Sequence, residues 1–409
     1  MKNIFVKSLL FVGTISLLIT GCQSSNSIND DNTQMESAID NSNYSMIYNN
    51  NSDLIQYGNK VYFKAGTEDN LNKPVELGDF RKNDNDATIL VGFDNDTHLV
   101  ENLSETTGYG KLAISKGCLY YEDIVKENSK VLKKLSVIEL DAGSKEPKAI
   151  EDEILLGGDS QGMYVSTLKK EDDVDYLCVY RGKSQINKKI VYNYQEYIGM
   201  DADGVYYVSK NEVGDNVLTQ VNLISGEIIN LGQFPTDPEG GTEPKIDQFT
   251  SDNQNVYIGY GFYDYDGKYV KGYHIKATKN TEDDLAPSII KTKSGMKETP
   301  KFYVKKGKMK KTDGEPYSAR VDEAGNIGFY NEKGVFVSVA PNYTSKDIVD
   351  AVNVIEEVYY INGRIYFVRD ERERVPEAEK GWKEVYKLTS QYIGYVGEEN
   401  IENDIYILQ

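Results

Sequence analysis

The chain has 409 residues and carries 65 Asp and Glu against 46 Lys and Arg, a formal charge of −19 at pH 7. That sign argues against nucleic acid or an anionic membrane face as the main partner, because both are bound through basic surface. The length is too great for one average core and suits two domains or one large domain built of repeats.

At the start of the chain, Lys2 and Lys7 flank an apolar run from Leu9 to Ile19 that ends in small residues. A basic region, an apolar region and small residues in that order make a secretory signal. Gly13, Thr14, Ser16 and Thr20 interrupt the run, which therefore falls short of the roughly 20 predominantly apolar residues of a membrane span. Ile19-Thr20-Gly21-Cys22 resembles the lipobox of bacterial lipoproteins. The resemblance implies that Cys22 is acylated with palmitate-type chains, that residues 1–21 are removed, and that Cys22 becomes the N-terminus on the outer face of the cell membrane. Two or three acyl chains, at about 0.8 kcal/mol per buried CH₂, anchor firmly where one does not. Loss of Lys2 and Lys7 leaves a charge of −21.

Residues 22–43 follow as lipidated cysteine and polar tether, QSSNSINDDNTQMESAIDNSN after Cys22. So little apolar surface cannot offset the entropy of ordering, and a coil of this length holds its body roughly 25 Å from the anchor. The other cysteines, Cys118 and Cys178, could form one disulfide in an exported protein but read as two buried thiols.

From residue 44 to 409, short alternating segments separated by Gly, Asn and Asp turns predict strands throughout. Ser345–Glu357 is the best helix candidate, and strand-like sequence flanks it. Tyrosine is abundant, 32 against 12 Phe and one Trp, which suits strands with half-buried ends more than a dedicated sugar- or peptide-binding face. A turn followed by an aromatic strand recurs, as in Gly58-Asn59-Lys60-Val61-Tyr62-Phe63, Lys116-Gly117-Cys118-Leu119-Tyr120-Tyr121 and Asp203-Gly204-Val205-Tyr206. The aromatic markers stand at 62, 120, 164, 206, 257, 329 and 366. Repeats of about 40–50 residues with four short strands are the mark of a β-propeller blade. In the clearest copy the strands run 195–200, 205–210, 217–223 and 227–231. The pattern resembles bacterial lipoprotein propellers whose blades look like those of the low-density-lipoprotein-receptor propeller. It implies an all-β propeller over 44–409, seven-bladed by the markers, with six or eight left open by the long gaps before 120 and 329.

Gly158-Asp159-Ser160-Gln161-Gly162 matches the G-x-S-x-G elbow of serine hydrolases, whose nucleophile needs a strained strand-to-helix turn and a histidine. Here the segment leads into a strand, the next repeat has Ala202 in the serine slot, and only His98 and His274 exist. The motif reads as a turn. Asp94/Asp96, Asp172/Asp173/Asp175, Asp201/Asp203 and Asp264/Asp266 offer hard oxygens to a structural Ca²⁺, best at Asp264-Tyr265-Asp266-Gly267 and Asp201-Ala202-Asp203-Gly204. No twelve-residue calcium loop is complete, and Asp at such turns ordinarily caps its own backbone. No catalytic residue and no cofactor are assigned. The stretch 291–311 holds nine Lys and one Glu; Lys305, Lys306, Lys308, Lys310 and Lys311 are its candidates for an anionic partner, against the alternative of a solvated edge protected from aggregation. The expected function is a membrane-anchored binding or scaffold module for an envelope protein, peptide or glycan. The alternative is a glycan-acting propeller hydrolase or lyase, and oligomeric state is not legible.

Overall fold

The computed structural model describes residues 53–67, 75–76, 87–127, 130–234, 245–263, 269–285, 288–290, 302–305, 308–311, 319–321, 327–331, 335–340, 351–361, 364–376, 384–396 and 400–407. Among them every regular element of length is a strand, and all pairings are antiparallel. Residues 351–357 of the helix candidate belong to the strand Ala351–Ile361.

Five sheets of four strands follow one another. The first comprises Leu54–Tyr57, Lys60–Gly66, Ala87–Asp94 and Val100–Thr107, the second Leu112–Ser115, Cys118–Glu127, Lys130–Glu139 and Lys148–Ile150. The third comprises Glu153–Gly158, Val165–Glu171, Val174–Arg181 and Ser184–Ile190, the fourth Tyr194–Met200, Gly204–Lys210, Asn216–Asn222 and Ile228–Gln233. The fifth comprises Lys245–Ser251, Asn255–Tyr263, Tyr269–Thr278 and Ser288–Ile290. A hairpin, Phe302–Lys305 with Lys308–Lys311, precedes a three-stranded sheet of Ala319–Val321, Ile327–Tyr330 and Phe336–Ala340. The last sheet holds Ala351–Ile361, Arg364–Arg374 and Val385–Val396, the third of which pairs with both Asn400–Ile407 and Val75–Glu76.

Alternation sends successive side chains of a strand to opposite faces, and here both faces are covered. In Gly204–Lys210, Val205 and Tyr207 pack against the third sheet while Tyr206 and Val208 pack against the fifth. That double burial is why the strand reads as the near-continuous apolar run Val-Tyr-Tyr-Val. Apolar clusters likewise join the first sheet to the second through Tyr62, Leu119 and Tyr121, and the second to the third through Tyr120, Val165 and Tyr180. Each large side chain so buried contributes about 1.5–3 kcal/mol. The innermost strands stand beside one another in order, Leu54–Tyr57, Leu112–Ser115, Glu153–Gly158, Tyr194–Met200 and Lys245–Ser251, and Ala319–Val321 lies beside Ala351–Ile361.

The first and last sheets also pack together, Val61, Phe63, Val91 and Phe93 against Tyr366, Val368, Ile393 and Tyr395. Five successive four-stranded sheets packed face to face, with the last sheet packed back on the first, make the architecture a β-propeller. Polar contacts fasten the seam: Gly66 N–H donates to Gln391 Oε1 at 3.0 Å and Tyr366 Oη to Asn95 Oδ1 at 3.0 Å, while Gln391 Nε2 is held within the last sheet by Asp370 Oδ1 at 2.9 Å. Val75–Glu76 leaves the first sheet and pairs with Val385 and Tyr386 of the last.

Within a sheet, the 1–2 and 3–4 turns share one end of the ring and are tied by backbone bonds: Asn95 N to Asn59 O, Leu140 N to Gly117 O, Leu223 N to Asp203 O and Lys279 N to Gln254 O, all 2.8–3.0 Å. The 2–3 hairpins and the linkers between sheets occupy the other end.

Candidate functional site

The turn end is built by the aromatic repeat. Each marker lies in, or immediately before, the second strand of a different sheet, and Tyr62, Tyr120, Tyr206, Tyr257 and Tyr366 are at most 3 % exposed. Burial therefore goes further than strand ends that are half wet. The hydroxyls of Tyr120, Tyr206, Tyr257 and Tyr366 are spent internally, because a buried phenol needs a partner. Tyr120 Oη donates to Gly182 O at 2.6 Å, Tyr206 Oη to Asp201 Oδ1 at 3.2 Å and Tyr257 Oη to Asp252 Oδ2 at 2.8 Å. Burial, with the carboxylate beside it, pushes the Tyr257 phenol up to about 12.

The aspartates also cap the turns. Asp201 Oδ1 accepts from the N–H groups of Asp203 and Gly204 at 2.9 and 3.0 Å, and Asp252 Oδ1 from Gln254 and Asn255 at 2.8 Å each. Asp159 does the same for Met163 at 2.8 Å and Tyr164 at 2.6 Å. Asp159 is buried, and burial pushes its carboxyl up to about 6 in spite of those donors. Ser160 beside it is exposed on this capped turn, which runs into the strand Val165–Glu171.

The Asp201-Ala202-Asp203-Gly204 carboxylates already hold a cation. Lys279 Nζ lies 2.7 Å from Asp201 Oδ2 and 2.7 Å from Asp203 Oδ2, with 5 % of its side chain exposed. Burial alone would lower the Lys279 ammonium; the two carboxylates outweigh it and hold the group above its ordinary value. Nothing in the sequence around Lys279 signals this pairing across 76 residues. Asp264–Gly267 lie outside the described residues, among which no cluster of three or more His, Cys, Asp or Glu is placed to bind a metal.

A second charged cluster sits toward the linker end, between the first three sheets. Lys64 Nζ donates to Gly108 O at 3.0 Å and to Glu122 O. Burial lowers its ammonium to about 8, opposed by Asp123 and Glu122. Glu122 is wholly buried and accepts from Leu155 N at 3.0 Å and Lys133 Nζ at 3.2 Å. Burial also lowers the half-buried Lys111. Glu153 accepts from Thr167 Oγ1 at 2.5 Å and Tyr180 Oη at 2.9 Å. Lys64 links sheet one to two and Glu122 links sheet two to three, while Glu153 ties the strands of sheet three together, so their chemistry is that of a brace: an unmade bond there leaves a buried charge. Lys64 and Glu122 give no signal in the sequence because each stands in a strand buried on both faces, where a single charged residue does not reveal what it meets in the next sheet.

Cys118 and Cys178 are both buried as free thiols in the core between sheets two and three. Burial raises both, Cys178 to about 12, which leaves them protonated and unreactive. Ile19, Thr20, Gly21, Cys22 and the tether to 43 lie outside the described residues. Of the basic stretch, Lys305 pairs with Lys308, Tyr303 with Lys310 and Phe302 with Lys311 across one hairpin. Lys310 is exposed, and Lys306 falls outside the described residues.

No family model and no curated protein matches the chain. Solved structures give low-identity likenesses. The β-propeller domain of the Trilobed protease from Pyrococcus furiosus is 11 % identical over 72 % of this chain and 96 % of that one, with a TM-score of 0.38. A PL25 ulvan lyase bound to a glucuronate–sulfated rhamnose saccharide is 10 % identical over 88 % and 95 %, with a TM-score of 0.44. An acylaminoacyl peptidase is 14 % identical over 72 % of this chain and 52 % of its own, with a TM-score of 0.37. The propeller stands on the sheet order and packing described above.

Proposed function

We propose that this protein is a lipid-anchored, extracytoplasmic binding or scaffold module: a seven-bladed propeller held off the outer face of the cell membrane by acylated Cys22 and a polar tether. The lipobox-like Ile19-Thr20-Gly21-Cys22 supports the anchor. The observation that carries the binding reading is how the buried charges are used. Lys64, Glu122, Asp159 and Lys279 each hold a turn or join one sheet to another, and Glu153 and Asp370 tie neighbouring strands within their own sheets. What the ring then offers a ligand is its two ends.

The anchor is tested with Cys22→Ala in the full chain. The variant is expected in the soluble fraction after an alkaline wash of membranes; full retention would refute the anchor. The binding reading is tested with the full chain as bait on solubilised membranes, beside a glycan array.

The second reading is a glycan-acting enzyme working at one of the two ends of the ring, where loops from several sheets meet; Lys64 is no part of it, since its ammonium is buried and bonded to Gly108 O and Glu122 O. Its test is turnover of acidic polysaccharide by the full chain.

A further inference from the structure

At the turn end, the 1–2 turn of one sheet meets the 3–4 turn of the next, and two of these junctions are chemically complementary. Between the fourth and fifth sheets, Asp201 and Asp203 meet Lys279, 2.7 Å from each. Between the first and second, Tyr57 at the end of the innermost strand donates its hydroxyl to Asp141 Oδ2 at 2.5 Å. Between the second and third, the same place is filled by two cations. They are Lys116, in the two-residue turn before Cys118–Glu127, and Arg181, at the end of Val174–Arg181.

The backbone around the two cations is fixed. Lys116 N–H donates to Gly162 O at 2.9 Å, Ser115 Oγ to Met163 O at 2.6 Å and Gly182 N–H to Ser115 Oγ at 2.8 Å. A Cβ at Gly182, next to Arg181, would lie 3.8 Å from that of Lys116. Lys116 is partly buried and Arg181 exposed. Among the described residues, neither side chain makes a hydrogen bond or ion pair. The acids of these turns are already engaged: Glu139 holds Lys183 at 2.5 Å, Asp141 holds Tyr57, and Asp159 accepts from the N–H groups of Gln161, Met163 and Tyr164. Burial and the Arg181 guanidinium accordingly lower the Lys116 ammonium, opposed by Asp159. Like charges held together, one of them partly withdrawn from water, are unfavourable until an anion stands between them.

We propose that Lys116 and Arg181 hold a phosphate group, either inorganic phosphate or the monoester of a small sugar phosphate. Such a group carries about −1.5 to −2 charge at pH 7 and so matches the two cations. Arginine takes two of its oxygens as a fork, and lysine takes another as a point charge. A formal charge of −19 over the chain disfavours a long polyanion, which favours a small ligand. Ser160 and Gln161 are exposed on the turn whose Gly162 carbonyl accepts from Lys116, where a hydroxyl and an amide can bond the body of that ligand. The phosphate takes the place that Lys279 fills between Asp201 and Asp203, with the signs reversed. This site stands apart from the membrane anchor and from the partner proposed above.

The experiment is calorimetric titration of the full chain in low salt with inorganic phosphate, with glucose 1-phosphate and, as the neutral reference, with glucose. Both phosphates are expected to bind at millimolar concentration or below, and glucose not. Tighter binding of glucose 1-phosphate assigns a sugar phosphate; equal or tighter binding of inorganic phosphate assigns the free ion. Lys116→Asn suits the left-handed backbone there, φ 46°, and Arg181→Gln keeps most of the side chain. Each should weaken binding about tenfold or more, the loss of one charge-assisted contact. Lys148→Gln removes an exposed lysine from the outer strand of the second sheet and should leave the affinity unchanged. Without phosphate, the Lys116 and Arg181 variants should melt no lower than the parent, since each removes one of two like charges. Phosphate should then raise the Tm of the parent and not of the variants. Absence of binding and of any rise in Tm with either phosphate overturns the proposal. So does unchanged affinity in both variants, an equal loss in Lys148→Gln, or a Tm that falls in both variants without phosphate.

Discussion

Replacing Lys279 with methionine keeps the length of the side chain and removes only the ammonium that bridges Asp201 and Asp203. Two contacts of 2.7 Å disappear, leaving Asp201, 12 % exposed, beside Asp203, 46 % exposed, with no counter-ion between them. Breaking a buried pair costs about 3–5 kcal/mol. Here Asp203 keeps much of its hydration and Asp201 keeps three other donors, so about 2–3 kcal/mol is the consistent value. With unfolding entropy of about 2.1 cal/mol/K per residue over the propeller, that lowers Tm by about 3–4 °C if it melts as one unit. Differential scanning calorimetry at pH 7 reads the shift. The raised Lys279 ammonium adds a sign: its contribution is present below the ordinary value of 10.5 and is lost as pH rises above it. The gap between the parent and Lys279→Met should therefore close in strong alkali. An unchanged Tm in the variant, or a Tm of the parent that Ca²⁺ raises by acting at Asp201 and Asp203, would refute the reasoning, because both require that Lys279 does not fill the site.

Two further substitutions probe the same architecture. Burial lifts Asp159 from 3.8 to about 6, so its contribution is fully present below 3.8 and lost as pH rises through about 6, on the order of 2–3 kcal/mol in all. Urea midpoints should rise between pH 7 and 4.5 in the parent more than in Asp159→Asn, and equal slopes would dismiss the shift. Gly199 lies where a Cβ would meet the Phe249 ring at 2.4–2.8 Å, an approach of the innermost strands of sheets four and five. Gly199→Ala should destabilise by about 1–3 kcal/mol, read as a lower urea midpoint with the slope unchanged; Phe249→Leu in the same chain should recover part of it.

The sheet pattern was legible because turn and strand signals are local. Gly58-Asn59, Gly117 and Asp203-Gly204 mark turns by their own backbone chemistry, and the four strands expected around Tyr206 match Tyr194–Met200, Gly204–Lys210, Asn216–Asn222 and Ile228–Gln233 to within three residues at each end. Asp201 and Asp252 stand five residues before Tyr206 and Tyr257, but the hydroxyl-to-carboxylate bonds between them are not legible in the sequence, since spacing alone does not say where a hydroxyl points.

By itself, then, the chain determined strands, turns and the lipobox-like start, which depend on neighbours within about ten residues, and the repeat, which is the recurrence of such local signals. Tertiary structure decided what depends on residues brought together from afar. Val75–Glu76 completes an edge of the last sheet, 310 residues on; Lys279 sits between Asp201 and Asp203, which the sequence offered to a calcium ion only as the lesser alternative to turn capping. Side chains of ordinary type acquire such roles only from the electrostatics and burial of the place where the ring puts them, and no local pattern encodes that place.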